Sequence, residues 1–462
     1  MNLPNYFLAD LPPEATVSAA MISEACLTLK RNRENYLLNR STQNVATILA
    51  NVSRQWLLPD DRFRKMALEQ GPAALGFSQA TLANGLDAFF RHFAVDNLQM
   101  LLQQELGDKQ RLDSLTAAEP GPGTNRAAIA LGPEFLVHVA PGKLPHPALR
   151  NIALGFLLRS AQFVTCSPGT SLLPRLFAHS IYDADSKLAA CLEIAEWRGE
   201  NSALEQILFE TANCVTARGS EEYVASLRQR LPARTEYLSF PNRVSFAYIG
   251  AGLLSALSLQ RITARTATDV IAWNQLGNLA PHVIYVEKGS AISPEQFAAA
   301  LAEELARREE SEPRGEVPPE SAAAIQARRC IYEARAAHSR VSDSPDYPQT
   351  EMWCSANSTA WTVVFESDPR FQTSCLNRFI YVKSVADLRE ALQGADAVKT
   401  RISTVGLAVP EDQSHQMAAE LARWGAKRVC PLGQMQNPPL ASRYDGRPVL
   451  GDLVTWMDYE MP

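Results

Sequence analysis

Apolar residues recur at helical spacing through SAAMISEACLTLKRNRENYLLN, from Ser18, and through QATLANGLDAFFRHFAVDNLQMLLQQEL, from Gln79. That periodicity predicts an N-terminal helical region over residues 1–115, a layer able to pack on the main body. The stretch TAAEPGPGTNRAA, from Thr116, breaks the pattern with Pro and Gly and reads as a linker. Beyond it the period changes. EFLVHVAP is a short apolar run ending at Pro141, a predicted strand, and ALRNIALGFLLRSA, from Ala148, returns to helical spacing. AQFVTCSPG, CLEIAEWRG and ANCVTARGS read as further strands; TSLLPRLFAHSIYD, ALEQILFE and SEEYVASLRQRL read as helices between them. Strands alternating with helices form βαβ units on a parallel sheet. Residues 128–250 are therefore expected to form a Rossmann-like domain.

The alternation resumes with longer intervals. A helix start is predicted over Thr266–Trp273, a strand at HVIYVEKG and an amphipathic helix at PEQFAAALAEELARREE. REESEPRGEVPPES reads as a charged, Pro-containing turn region. TAWTVVFE and RFIYVK are predicted strands, and SVADLREALQG a helix capped by Ser384. ISTVGLAVP, SHQMAAELARWG and KRVCPLG read as strand, helix and strand. A second α/β domain is expected over 251–435, followed by a Pro-rich, irregular tail over 436–462 that wraps the body or a partner.

Composition narrows the class. A chain of 462 residues exceeds one core, so two or three domains are the default. Hydrophobic residues at 46% and charged residues at 20% suit an enzyme or an enzyme-derived scaffold. A net charge of −6 without a basic cluster argues against a nucleic-acid partner. No apolar run reaches the roughly 18 to 20 residues of a membrane span, and MNLPNYFLADLPPEA lacks the pattern of a signal peptide. The eight cysteines form no CxxC pair, and their scatter suits the reduced thiols of a cytoplasmic protein. The seven histidines show no metal-ligand spacing, so no metal site is expected.

Four segments fall in a recognisable order: VAPGKLPHP, FVTCSPGTSLLP, VTARGSEEYVASL and WNQLGNLAPHVIYVE. STVGLAVPEDQSHQMAAELARWGAKRVCPLG follows as a closing strand–helix–strand. Together, over about residues 128–460, they resemble the LuxC-type acyl-CoA reductases, a branch of the aldehyde dehydrogenase superfamily. The resemblance implies an aldehyde-dehydrogenase-like α/β fold: a Rossmann-type cofactor domain, a second, catalytic α/β domain and the N-terminal helical region. It also implies a two-step reaction. A cysteine thiolate attacks an acyl-CoA or acyl-carrier thioester and expels the carrier thiol. NADPH then delivers hydride to the acyl-enzyme, and an aldehyde leaves. Such chemistry needs a nucleophile that can also leave, donors aimed at the oxyanion, and a cofactor held on the other face of the thioester. The partners implied are an acyl-activating or acyl-transferring protein and further copies of the chain, as a homo-oligomer.

Position by position, this chain departs from that plan. The nucleophile position is Asn278, whose amide nitrogen has a delocalised lone pair. The amide expected in the first loop is Lys143, a longer and charged donor. The lysine expected in the ribose-binding turn is Thr165. The next turn reads Ala217-Arg218-Gly219-Ser220, with arginine where a small residue or threonine is usual. Gly219 permits close approach of a pyrophosphate, and Ser220 caps a helix whose N-terminus attracts anions, although Glu221 and Glu222 oppose a phosphate there. Each residue also has an ordinary reading: Asn278 in a loop, Lys143 as a solvated lysine, Ser220 as a plain cap. Cys375 reads as a structural thiol, and His138 and His146 as structural histidines. Two expectations follow: an NADPH-dependent reductase of fatty acyl thioesters, or a pseudoenzyme acting as a binding or scaffolding subunit.

Overall fold

The computed structural model describes residues 3–12, 14–117, 126–140, 142–197, 202–341 and 348–460. The linker segment 118–125 and Pro141 lie outside them. The chain divides into two compact units. The first comprises Met1–Leu75, Leu86–Asn242 and Pro439–Pro462; the second comprises Gly76–Gly85 and Arg243–Pro438.

In the first unit the N-terminal helices are α1 (Ala19–Asn32), α2 (Thr42–Trp56), α3 (Arg62–Leu75), α4 (Gln79–Phe90) and α5 (Val95–Leu106). Gln79–Gly85 of α4 belong to the second unit. Ser18 starts α1 by accepting the Met21 N–H, and Ile22, Cys26 and Leu29 line its buried stripe. That stripe merges with the core of the main sheet. The predicted helical run from Gln79 is two helices, broken at Arg91–Ala94.

Strands β1 (Thr116–Ala117) and β2 (Arg126–Leu131) precede the main sheet of this unit. Along the chain follow β3 (Phe135–Ala140), α6 (His146–Leu157), β4 (Ala161–Cys166), α7 (Leu172–Ala184) and α8 (Ser186–Ala189). Then come β5 (Leu192–Glu196), α9 (Ser202–Thr211), β6 (Cys214–Gly219), α10 (Glu221–Arg230) and β7 (Glu236–Pro241). The five strands lie in the order β5-β4-β3-β6-β7, each parallel to its neighbours. Side chains alternate across the sheet. Phe135, Val137, Phe163 and Val215 pack with α1 and α9 in one core. His138 and Gln162 point the other way, where Gln162 donates to the Ile152 carbonyl of α6 at 3.1 Å.

The second unit contains β8 (Val244–Ile249), α11 (Leu259–Ile271), β9 (Pro281–Glu287), α12 (Pro294–Ser311) and α13 (Pro319–Val341). It continues with β10 (Thr350–Cys354), β11 (Thr362–Glu366), β12 (Phe379–Val385), α14 (Leu388–Gly394), β13 (Ile402–Ala408), α15 (Glu411–Trp424) and β14 (Arg428–Pro431). Its seven strands run β10-β11-β12-β9-β8-β13-β14, parallel except for β10. Helices α11 and α12 close one face; α13, α14 and α15 close the other.

Several expectations are corrected here. The helix expected to start at Thr266 begins at Leu259, because Thr263, Thr266 and Ala267 lie on its buried face and do not register as strongly apolar. The region read as a charged turn ends in a 23-residue helix, α13. Its buried positions are only Ile325, Arg329, Tyr332 and Ala336, so an arginine interrupts the stripe. Ser384 lies in β12, and Asp387 caps α14 by accepting the Glu390 N–H. Strand β8, in the stretch assigned to the first α/β domain, pairs in the second sheet. The tail is not irregular throughout: its final strand, β15 (Thr455–Glu460), pairs antiparallel with β2 in the first unit.

Candidate functional site

In the first unit the chain builds outward from β3 to β4 and β5, then returns to lay β6 and β7 on the other side. The winding direction therefore reverses between β3 and β6. In open α/β sheets ligands bind outside the carboxyl ends of strands at such a switch point. The carboxyl end of β3 feeds the loop of Lys143, and that of β6 is the Gly219–Ser220 turn. Thr165 lies near the same end of β4, paired with Val139 of β3 and buried. The sheet thus brings Lys143, Thr165, Gly219 and Ser220 to one edge.

Their surroundings define what they can do. Lys143 is exposed and makes no hydrogen bond or ion pair among the described residues. The Ser220 hydroxyl oxygen accepts the Tyr223 N–H at 3.2 Å, capping α10. The Glu222 carboxylate is held below its ordinary range by its own backbone N–H and by the Ser220 hydroxyl. Gly219 has φ of 155°, and a Cβ there would lie 2.6 Å from Cδ1 of Tyr223. The glycine thus gives room to a tyrosine ring. Arg218, one residue earlier, lies 4.0 Å from the Tyr444 ring centroid and 4.9 Å from that of Phe240. It also donates to the Tyr444 hydroxyl. Arg150, in the second turn of α6, lies 4.7 Å from the same Tyr444 ring.

The two histidines near this edge are held neutral. Burial pushes His138 down to about 4, and its ring nitrogens lie 2.7 Å from Thr216 Oγ1 and 3.2 Å from Gln162 Oε1. His146 is pushed down to about 3, first by burial and then by Arg218 and Arg150.

Asn278 belongs to the second unit, on the turn between α11 and β9. The backbone entering that turn is left-handed at three successive residues: Trp273, Asn274 and Gln275, with φ of 49°, 52° and 65°. A second run, Leu376, Asn377 and Arg378, has φ of 58°, 52° and 65°. The Asn377 N–H donates to the Asn274 carbonyl at 3.0 Å, tying the runs together. Gln275 donates to the carbonyls of Pro281 at 2.7 Å and Phe379 at 3.0 Å. Ser245, on β8, donates to the carbonyl of Asn278 at 2.7 Å. The backbone at 278 is thus fixed, while its half-buried side chain makes no hydrogen bond among the described residues.

Six of the eight thiols are raised by burial. Cys375 is half-buried, has its sulfur 3.9 Å from the Ala324 carbonyl oxygen, and is pushed up by burial. Burial pushes Cys26 and Cys430 up to about 11, and Cys166, Cys191 and Cys214 up to about 12. Such thiols are protonated near neutral pH and poor nucleophiles. Ser374 lies with its Oγ 3.0 Å from His282 Nδ1, but that nitrogen also accepts the Ser374 N–H, and both residues are buried. No group of three or more metal-ligating side chains occurs among the described residues. None of their helices is long and apolar enough to cross a membrane.

Solved structures with this arrangement define the class. A bifunctional proline utilization A protein aligns over 99% of this chain and 46% of its own, with a TM-score of 0.70 and 14% identity. An NAD-dependent benzaldehyde dehydrogenase of Corynebacterium glutamicum aligns over 96% and 91%, with a TM-score of 0.68 and 11% identity. The Delta-pyrroline-5-carboxylate dehydrogenase of Mycobacterium tuberculosis aligns over 97% and 83%, at 0.67 and 11%. The chain has the aldehyde dehydrogenase fold, as expected.

Within that class, a family model described as acyl-CoA reductase (LuxC) matches residues 37–456, and the chain belongs to this family. A long-chain acyl-protein thioester reductase of Aliivibrio fischeri is 21% identical over 330 residues, 71% of this chain. The alignment spans 64% of that reductase, less than two thirds of its length.

Fold and family together imply a nicotinamide cofactor as a class. The residues at the β6–α10 turn do not fit its pyrophosphate. The Ser220 hydroxyl is used as a cap, Tyr223 fills the space beside Gly219, and Glu221 and Glu222 place two carboxylates in the first turn of α10. The sequence marks Arg218 alone of the group Arg218, Tyr444 and Arg150, because Tyr444 lies in a tail without periodicity.

Proposed function

We propose that this chain is a catalytically inactive member of the acyl-CoA reductase family, acting as a binding or scaffolding subunit. One observation carries this reading: the residue at the nucleophile position is Asn278. A carboxamide nitrogen does not attack a thioester, and the thiols described above are raised out of the reactive range by burial. Losing a covalent nucleophile typically lowers turnover by about 10³ to 10⁶. The poor fit of the β6–α10 turn to a pyrophosphate supports the same reading. What the chain retains is a scaffold for an acyl-CoA or acyl-carrier thioester, working beside an acyl-activating or acyl-transferring protein. Eight free cysteines favour a reducing, cytoplasmic setting. Strand β15, an edge strand with Trp456, Met457 and Tyr459 exposed, favours a homo-oligomer.

Family membership over residues 37–456 favours a second reading, an active NADPH-dependent reductase of fatty acyl thioesters in which Lys143 supports the oxyanion. NADPH consumption with a series of acyl-CoA chain lengths separates the two. The native chain is expected to be silent, and Asn278→Cys to trap an acyl-enzyme without NADPH consumption. Robust native turnover with a covalent acyl adduct would overturn the inactive reading.

A further inference from the structure

We infer that the cleft between α11, α12 and the turn after β14 binds a small polyanion, a ligand with two or more phosphate or carboxylate groups. The cleft lies wholly within the second unit and has a volume of about 600 Å³, the size of a small-molecule site. Four of its lining side chains are arginines: Arg261 and Arg265 on α11, and Arg307 and Arg308 on α12. No lysine lines it among the described residues. The planar guanidinium fork meets phosphate or carboxylate oxygens in pairs, which an ammonium does not. The chain spreads these arginines over two helices, so no basic run marks them in the sequence.

The carboxylates nearby are already committed. Glu304, the one acid among the described residues that line the cleft, accepts from Arg307 Nε at 3.0 Å and Nη2 at 2.6 Å. Nη1 of Arg307 makes no hydrogen bond among the described residues. Glu310 and Glu312 act on Arg307 at longer range. Arg308 is fully used: Nε and Nη2 donate to Glu312 at 2.9 and 2.7 Å, and Nη1 donates to Thr268 Oγ1 at 2.9 Å, stapling α12 to α11. The buried Asp269 carboxylate accepts the N–H groups of Gly433 at 2.5 Å and Met435 at 2.9 Å, which fixes the turn after β14. Arg261 and Arg265 are left exposed, with no hydrogen bond or ion pair among the described residues. They stand one helical turn apart, where like charges repel. Gly433, with φ of 88°, lies where a Cβ would be 3.0 Å from Cβ of Arg265. The turn thus packs on the Arg265 stem and leaves the head group to the cleft. A single anionic group meets one of these two arginines. Two groups spaced by a helical turn meet both, with Nη1 of Arg307 added from α12. No residue of the turn around Asn278 takes part, so the site does not depend on whether the chain turns over a thioester.

Calorimetric titration of the full chain with pyrophosphate and with citrate tests this, with acetate as control at constant ionic strength. At least one of the two polyanions is expected to bind with a Kd below about 1 mM, and acetate to bind about tenfold more weakly or less. Binding of pyrophosphate alone identifies phosphate groups as the ligand, and binding of citrate alone identifies carboxylates. Binding of both makes the spacing of charge the feature recognised. Arg265→Gln should weaken the binding by about tenfold or more. Arg261→Gln should do the same, and it serves as the second variant should the first fail to fold. Arg54→Gln, which removes an exposed arginine of the first unit, should leave the affinity unchanged. No polyanion binding up to about 10 mM, acetate binding as tight as either polyanion, an unchanged affinity in a folded Arg265→Gln or Arg261→Gln chain, or an equal loss in Arg54→Gln overturns the assignment.

Discussion

Residue 278 follows a backbone that few sequences adopt. Six non-glycine residues in two runs, 273–275 and 376–378, are left-handed. Each such residue costs on the order of 1 kcal/mol or more, and it persists only where surrounding contacts over-determine it. Here the contacts are the Asn377 to Asn274 hydrogen bond, the two Gln275 amide bonds and the Ser245 bond to the residue-278 carbonyl. These contacts fix the backbone at Asn278. Asn274 and Asn377 are of a type that tolerates this conformation, but nothing local reveals that two such runs pair. Ser220 poses the opposite problem, because its sequence context suits both a cap and a cofactor ligand. Ser220→Ala is expected to lower stability by about 1 kcal/mol while leaving dinucleotide affinity unchanged. Denaturant unfolding and a dinucleotide titration of the same variant check the two halves.

Helix α13 shows why elements go unread. Its buried face is anchored by polar side chains. Arg329 donates to Thr362 Oγ1 at 2.9 Å and to the Ser358 carbonyl at 2.6 Å, and Arg335 pairs with Glu366 at 3.0 Å. An apolar-period search misses a helix that docks by guanidinium groups. Glu366 also pairs across β11 and β12 with Lys383 at 2.7 Å, and both are fully buried. Burial lowers the Lys383 ammonium from its ordinary range, and the Glu366 carboxylate opposes that. Glu366→Leu, which leaves the ammonium buried and unpaired, should cost about 3–5 kcal/mol. The double variant Glu366→Leu, Lys383→Met should recover most of that loss. Urea unfolding of the single and double variants is the check.

Across the molecule, three histidines couple folding to pH: His138 and His282, both buried, and the partly buried His146. His138 and His282 are held at about 4 and His146 at about 3, against 6.5 for an ordinary histidine, with burial the main cause. A depressed folded value means that the unfolded chain binds protons first. The contribution is complete above pH 6.5 and is lost as pH falls toward 4. Each histidine gives a slope of up to about 1.4 kcal/mol per pH unit in that window. Asp269 and Glu193, pushed up to about 7 by burial, act in the opposite sense. The informative quantity is therefore a difference. His282→Gln should lose melting temperature less steeply than the parent between pH 6.5 and 4, and parallel curves would refute the assignment.

Most strands of both sheets, the helices between them and the order of the family loops were legible in the chain. Each depends on a local repeat of apolar positions facing a core, and that repeat survives in any window of a few turns. Residue identity alone also placed an amide at 278. Tertiary structure decided the rest: that Ser220 is spent on a cap, that Tyr223 fills the space Gly219 leaves, and that Arg150 and Arg218 meet on Tyr444. Partners separated by 68 and 226 positions along the chain leave no periodic trace, because charge and hydrogen bonding are satisfied across the folded surface and not along the sequence.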